Sequence, residues 1–151
     1  MSHTVLSLSR LCLLAAFALC LAPAAPAQDE EKDPVFRDFK GVQIGMTAAE
    51  SRAKLGAPTD KGNALDFYAV GEKQTVQIHY DSGKVSAIAV SFLNSLADAP
   101  GPKTVFGSDA EAKPDGSFYK MVRYPKAGYW LSYSRTAGDR PMVIITMQKL
   151  R

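Results

Sequence analysis

The sequence predicts an α+β domain: an antiparallel sheet with a short helix, laid out as a tandem duplication of an α-β-β-β unit. Three observations carry this reading. One short segment has complete helix start and stop signals, several segments alternate apolar and polar residues with period two, and the aromatic and glycine landmarks of the first half recur in the second.

The helix is read from Thr47, Glu50, Gly56 and Pro58. Thr47 can cap the Glu50 amide while the Glu50 carboxylate reaches back to the Thr47 amide, which is a capping box. Gly56 suits the left-handed position after the last turn, and Pro58 stops continuation. Residues 64–70 (ALDFYAV) and 75–80 (TVQIHY) then read as strands, with Val76, Ile78 and Tyr80 on one face and Gln77 and His79 on the other. A turn at residues 81–84 (DSGK) leads into residues 85–93, where Ile88, Val90 and Phe92 share a face.

The second half repeats the landmarks. Leu55-Gly56 precedes Phe67-Tyr68 as Phe106-Gly107 precedes Phe118-Tyr119, and strands at residues 129–133 and 142–148 follow. Pro100, Gly101 and Pro102 leave the second helix room for one turn at most. The expected repeats are residues 35–98 and 99–151, within a single domain of residues 35–151.

Ahead of that domain, Arg10 leads into an apolar run over residues 11–22, and Pro23 and Ala25-Pro26-Ala27 follow. A run of twelve residues is short of the roughly 20 that a helix needs to cross a bilayer. The pattern is that of a signal peptide cut after Ala27, so the expected product is periplasmic or secreted, with no stable membrane span. Residues 28–34 (QDEEKDP) read as a flexible acidic tail.

The cut would remove Cys12 and Cys20, the two cysteines of the chain, and with them any disulfide, thiolate nucleophile or thiolate metal ligand. It would lower the net charge from +3 to +2. Residues 101–151 hold 9 basic and 4 acidic residues, so the positive charge lies in the second half.

Catalytic parts are scarce. His79 is the one histidine beyond the signal segment, it falls on the polar face of a strand, and no metal-binding motif or glycine-rich phosphate loop accompanies it. Asp66 is the one acid inside an expected strand, without a second carboxylate at a spacing that suggests acid-base work. The expectation is a non-enzymatic protein without catalytic residues, metal or cofactor. Residues 118–135 (FYKMVRYPKAGYWLSYSR) instead interleave aromatic and basic side chains with no acid. Tyr119, Arg123, Trp130 and Arg135 are the candidate binding residues, of the types enriched in contact hot spots. Such a surface can also stack on single-stranded nucleic acid, but export points instead to a protein or an anionic envelope component.

The segment Ile44-Gly45-Met46-Thr47-x-x-Glu50 followed by Leu55-Gly56-x-Pro58 resembles the opening of small outer-membrane lipoproteins of the SmpA/OmlA type, which support assembly of β-barrel proteins. It is also similar to the repeats of β-lactamase-inhibitor proteins. The resemblance implies a helical segment on an antiparallel sheet and a bacterial envelope setting, and it carries over no functional residue. The first group is anchored through a lipid-bearing cysteine. Cys20 ends the apolar run here and leaves a lipoprotein possible in principle, but Leu19 stands where such sites carry a small residue, so a soluble product is preferred. The disulfides of the second group have no counterpart after the cut. The leading expectation is an exported binding protein acting through a sheet face, and the alternative is an inhibitor of an extracellular hydrolase such as a β-lactamase or protease.

Overall fold

The computed structural model describes residues 32–94 and 96–151; the expected signal peptide and residues 28–31 of the expected tail lie outside them. The chain forms α1 (Ala48–Leu55), β1 (Asp60–Lys61), β2 (Leu65–Ala69), β3 (Gln74–Asp81), β4 (Lys84–Leu93), α2 (Pro102–Phe106), β5 (Phe118–Tyr124), β6 (Tyr129–Arg135) and β7 (Met142–Lys149). The strands make one antiparallel sheet in the order β1-β2-β3-β4-β7-β6-β5. The fold is α+β, and each half supplies a short helix and a meander whose closing strand, β4 or β7, meets the other at the centre.

The helix α1 starts as its sequence dictates. The Glu50 amide donates to Thr47 Oγ1 at 3.2 Å and the Thr47 amide to Glu50 Oε2 at 2.8 Å. That backbone hydrogen bond, with the Thr47 hydroxyl beside it, holds the Glu50 carboxyl below its ordinary range. In α2, Pro102 opens the single turn and Gly107, at φ 74°, closes it by donating to the Lys103 carbonyl.

The tip of the β3–β4 hairpin has two consecutive positive φ angles, Ser82 at 52° and Gly83 at 75°, the requirement of a tight turn matched to sheet twist. The Gly83 carbonyl accepts from the Ala48 amide at 3.1 Å, while Gly45 and Met46 exchange hydrogen bonds with Val85 at 2.8 and 2.7 Å. The entry to α1 is thus pinned to the hairpin. A bulge in β4, between the partners of His79 and Tyr80, takes up Ser86.

The core lies on one face of the sheet. Val76, Ile78, Val90, Leu131, Ile145 and Met147 are almost fully buried there, together with Val42 from the N-terminal segment and Val105 from α2. Packing begins at Pro34, which is buried, one residue earlier than the charged composition suggests. Arg37 Nε donates to its carbonyl at 2.9 Å, and Tyr129 donates to the Phe36 carbonyl at 3.1 Å, tying this segment to β6.

The Phe-Tyr landmarks are not equivalent in the two halves. Tyr68 and Phe118 face the core, whereas Phe67 and Tyr119 lie on the opposite face. Side chains alternate across a strand, so the one-residue offset between the pairs reverses every face the landmarks were to align.

One buried ionic cluster joins α1 to the sheet. Asp66 on β2 is fully buried and accepts from Arg52 Nε at 2.7 Å, Arg52 Nη2 at 2.9 Å, the Tyr80 hydroxyl at 2.7 Å and the Gly62 amide at 3.2 Å. Arg52 also donates to the Gly62 carbonyl at 3.0 Å. Burial alone would raise the Asp66 carboxyl; the hydrogen bonds from Arg52, Tyr80 and Gly62 outweigh it and hold the group below its ordinary value. Tyr80, buried and donating to a carboxylate, is pushed up to about 12. Beside this satisfied cluster, the buried Tyr68 hydroxyl has no hydrogen-bond partner among the described residues.

Three outcomes follow for stability. Asp66→Ala, which strands the Tyr80 hydroxyl and the Gly62 amide, should cost roughly 3–5 kcal/mol in denaturant unfolding. The unfolded chain binds the Asp66 proton first as pH falls, so the stabilisation is complete above the ordinary aspartate value of 3.8 and is lost below it. Asp66→Asn should therefore flatten the acid limb of the stability profile, and an unchanged limb would contradict the assignment. Tyr68→Phe removes an unpaired buried hydroxyl and should leave the melting temperature unchanged or raise it; a clear loss of stability would show that the hydroxyl has a partner.

Candidate binding face

Both helices pack on the core face of the sheet, and among the described elements none covers the other. The registers assemble that open face in three rows across six strands. The first row runs Arg123, Trp130, Gln148, Ala87, His79 and Leu65 from β5 to β2. The second is Met121, Ser132, Thr146, Ala89, Gln77 and Phe67, and the third Tyr119, Ser134, Ile144, Ser91, Thr75 and Ala69.

These eighteen positions hold one formally charged side chain, Arg123, in a chain whose residues are 22% charged; Asp60 of β1, opposite Phe67, and the Asp81–Lys84 pair beside the hairpin tip bring charge back at the margin of the face. Solvent-facing sheet surfaces ordinarily carry charge, and depletion of charge is the compositional mark of an interface centre. The middle columns carry the small residues Ala87, Ala89, Ser91, Thr146, Ser132 and Ser134, interrupted by Trp130, Gln148 and Ile144, while Tyr119, Met121 and Arg123 stand at one end and Leu65 and Phe67 at the other. Small residues between large ones make a trough. Its floor includes a depression of about 210 Å³ lined by His79, Ser86, Ala87, Ala89, Thr146 and Gln148.

Of the four residues picked out by sequence, three share the face. Arg123 and Trp130 are direct cross-strand partners, and Tyr119, 63% exposed, lies two pairs further along β5 with Met121 between. Trp130 is half-buried. Arg135 is not with them: it pairs with Phe118 on the core side of the sheet, and its Nε donates to the Gly116 carbonyl at 2.8 Å, clasping the loop before β5. Its guanidinium acts as a strut.

His79 sits on the open face opposite Ala87, at the end of the trough away from Arg123. Its imidazole has no hydrogen-bonded carboxylate or hydroxyl among the described residues; the nearby Ser86 hydroxyl donates to the His79 backbone carbonyl at 3.2 Å instead. Asp66, the other candidate for acid-base chemistry, is sequestered on the opposite face by Arg52 and Tyr80. No three His, Cys, Asp or Glu side chains among the described residues stand together in a metal-binding arrangement. Alternation already set Met121 beside Tyr119 and Arg123, and Ser132 and Ser134 beside Trp130; sequence reasoning missed Ile144, Thr146, Ala87, Ala89 and Ser91. Their signal was the alternation in β4 and β7, which marks them as the non-core set but says nothing of which strands lie side by side.

Trp130 is the single tryptophan of the chain and stands across from Arg123. Iodide should therefore quench its fluorescence more strongly than caesium, and Arg123→Gln should narrow the difference, since the local positive potential concentrates anions. Equal quenching by the two ions in the unaltered protein would place Trp130 outside that potential.

No protein-family model, curated protein or solved structure matches the chain.

Proposed function

We propose that this chain is an exported, non-enzymatic binding protein of the bacterial envelope, and that it engages a protein or an anionic envelope component through the open sheet face around Tyr119, Arg123 and Trp130. The observation that carries the reading is the face itself: eighteen positions across six strands with one formal charge, uncovered by any described element. A solvated face without a partner has no physical need to exclude Lys, Glu and Asp, whereas an interface centre does, because each buried charge must be desolvated. Support for the envelope setting comes from the signal-like residues 1–27 and from the resemblance of the Gly45–Pro58 segment to envelope proteins.

The two halves are read as diverged copies of one helix-plus-meander unit joined through β4 and β7. The antiparallel meeting of the two closing strands supports this, although the copies have lost matching landmarks at Phe67-Tyr68 and Phe118-Tyr119.

The chain lacking residues 1–27 should retain a reproducible component from an envelope extract. Trp130→Ala combined with Arg123→Ala should weaken that capture by roughly tenfold or more. The melting temperature should stay within a few degrees, because neither side chain belongs to the core. Equal capture by the double variant would reject the face as the site.

A further inference from the structure

The bulge in β4 sets Val85 opposite Tyr80 and Ala87 opposite His79, so Ser86 has no partner of its own on β3. Val85 and Ile88 belong to the core, which leaves Ser86 and Ala87, consecutive in the chain, on the open side together. Bulges re-aim side chains in this way and concentrate beside functional sites. Here the re-aimed Ser86 joins His79, Ala87, Ala89, Thr146 and Gln148 around the depression of about 210 Å³. Its floor is sunken: Ala87 is 8% exposed without belonging to the core cluster, so neighbours on the open face shade it. A second depression, of about 270 Å³, adjoins the first through Ser86 and Gln148 and has Asp81, Lys149 and Arg151 in its wall, so charge begins where the first ends.

We infer that the first depression binds a neutral sugar ring, one unit of a glycan. The lining holds no Asp, Glu, Lys or Arg, so a charged ligand would give up water there without an opposite charge to meet. A sugar hydroxyl donates and accepts at once, and it pairs best with groups that do the same. Hydroxyl, amide and imidazole groups are of that kind, and Ser86, Thr146, Gln148 and His79 supply them. Among the described residues no hydrogen bond engages the side chains of His79, Thr146 or Gln148, while the Ser86 hydroxyl donates to the His79 carbonyl at 3.2 Å and keeps its lone pairs for a donor.

A sugar ring also has an apolar side of C–H groups, which an aromatic ring can cover. Trp130 stands next to Gln148 in the row Trp130, Gln148, Ala87 and His79, one residue from each of four adjacent strands. Trp130 and His79 are therefore about 14 Å apart across the sheet, with the small floor residues between them. A peptide finds less here. The floor belongs to β4 and β7, both interior strands whose backbones are paired on either side, so no ladder is left for an added strand and recognition falls to side chains alone. The inference rests on the open-face reading for access to the site, and it uses none of the contacts at the Tyr119 and Arg123 end.

The test is calorimetry and Trp130 fluorescence on the full chain. Cellotriose, maltotriose and chitotriose are the neutral probes, trigalacturonate and triglucosamine the charged ones, and octaproline an uncharged peptide. At least one neutral trisaccharide should bind, roughly tenfold or more tightly than either charged one. Thr146→Val and Gln148→Ala should each weaken that binding about threefold to tenfold, the loss of about one hydrogen bond, with the melting temperature within a few degrees. Thr75→Val, on the same face outside the depression, should leave it unchanged. Failure of every neutral trisaccharide, equal binding of a charged one, or indifference to Thr146→Val and Gln148→Ala would each overturn the inference, and octaproline binding in place of the sugars would assign the depression to a proline-rich peptide. If the sugars fail while the Trp130→Ala, Arg123→Ala variant still loses its envelope partner, the sugar site falls and the open-face reading stands. If a sugar binds and responds to Thr146→Val and Gln148→Ala while that double variant captures the partner as before, the reading of the Arg123 end falls and the depression stands.

Discussion

The Asp66 carboxylate decides how the first half is put together. It lies on β2, accepts from a helix side chain, from a β3 hydroxyl and from the amide of the loop before β2, and so fixes four segments with one charge. A buried carboxylate without these donors would cost several kcal/mol, which makes the arrangement all or nothing. Since the helix α1 offers the sheet little apolar surface, with Ser51 its one buried residue, the ionic cluster does for α1 what a hydrophobic stripe does for most surface helices. The placement of α1 in turn leaves the opposite side of the sheet bare.

Local chemistry was the legible part of this sequence. The capping box at Thr47 and Glu50, the stop at Gly56 and the strands around Ile78, Val90 and Leu131 depend on neighbours a few residues away, and all stand where residue types place them. Relations across the chain were not legible. The Phe67-Tyr68 and Phe118-Tyr119 pairs look alike in one dimension and differ by a face in three, because a side chain's face is set by its register against the neighbouring strand, Tyr68 opposite Val76 and Tyr119 opposite Ser134, and not by its distance from a landmark. The side-chain partners of Asp66, Arg52 and Tyr80, were hidden for the same reason, being fourteen residues distant on either side of it.

The candidate site shows the same division. Alternation within β5 and β6 already separates Trp130, Ser132 and Ser134 from Tyr129, Leu131 and Tyr133, and by that rule Arg135 belongs to the second set. Grouping it with Arg123 followed charge and overrode parity. The adjacency of Arg123 and Trp130, by contrast, could be known only from register. The near absence of charge over eighteen positions is a property of six strands laid side by side and is invisible in any one of them.

The order of strands also ties the two halves to each other. β7, latest of the described strands in sequence, lies between β4 and β6. The meander of β2, β3 and β4 and the hairpin of β5 and β6 pair near neighbours in the chain, whereas the pairing of β7 with β4 joins distant ones. Without β7 both β4 and β6 would present an open edge, so the last strand is the latch that makes one core of two halves.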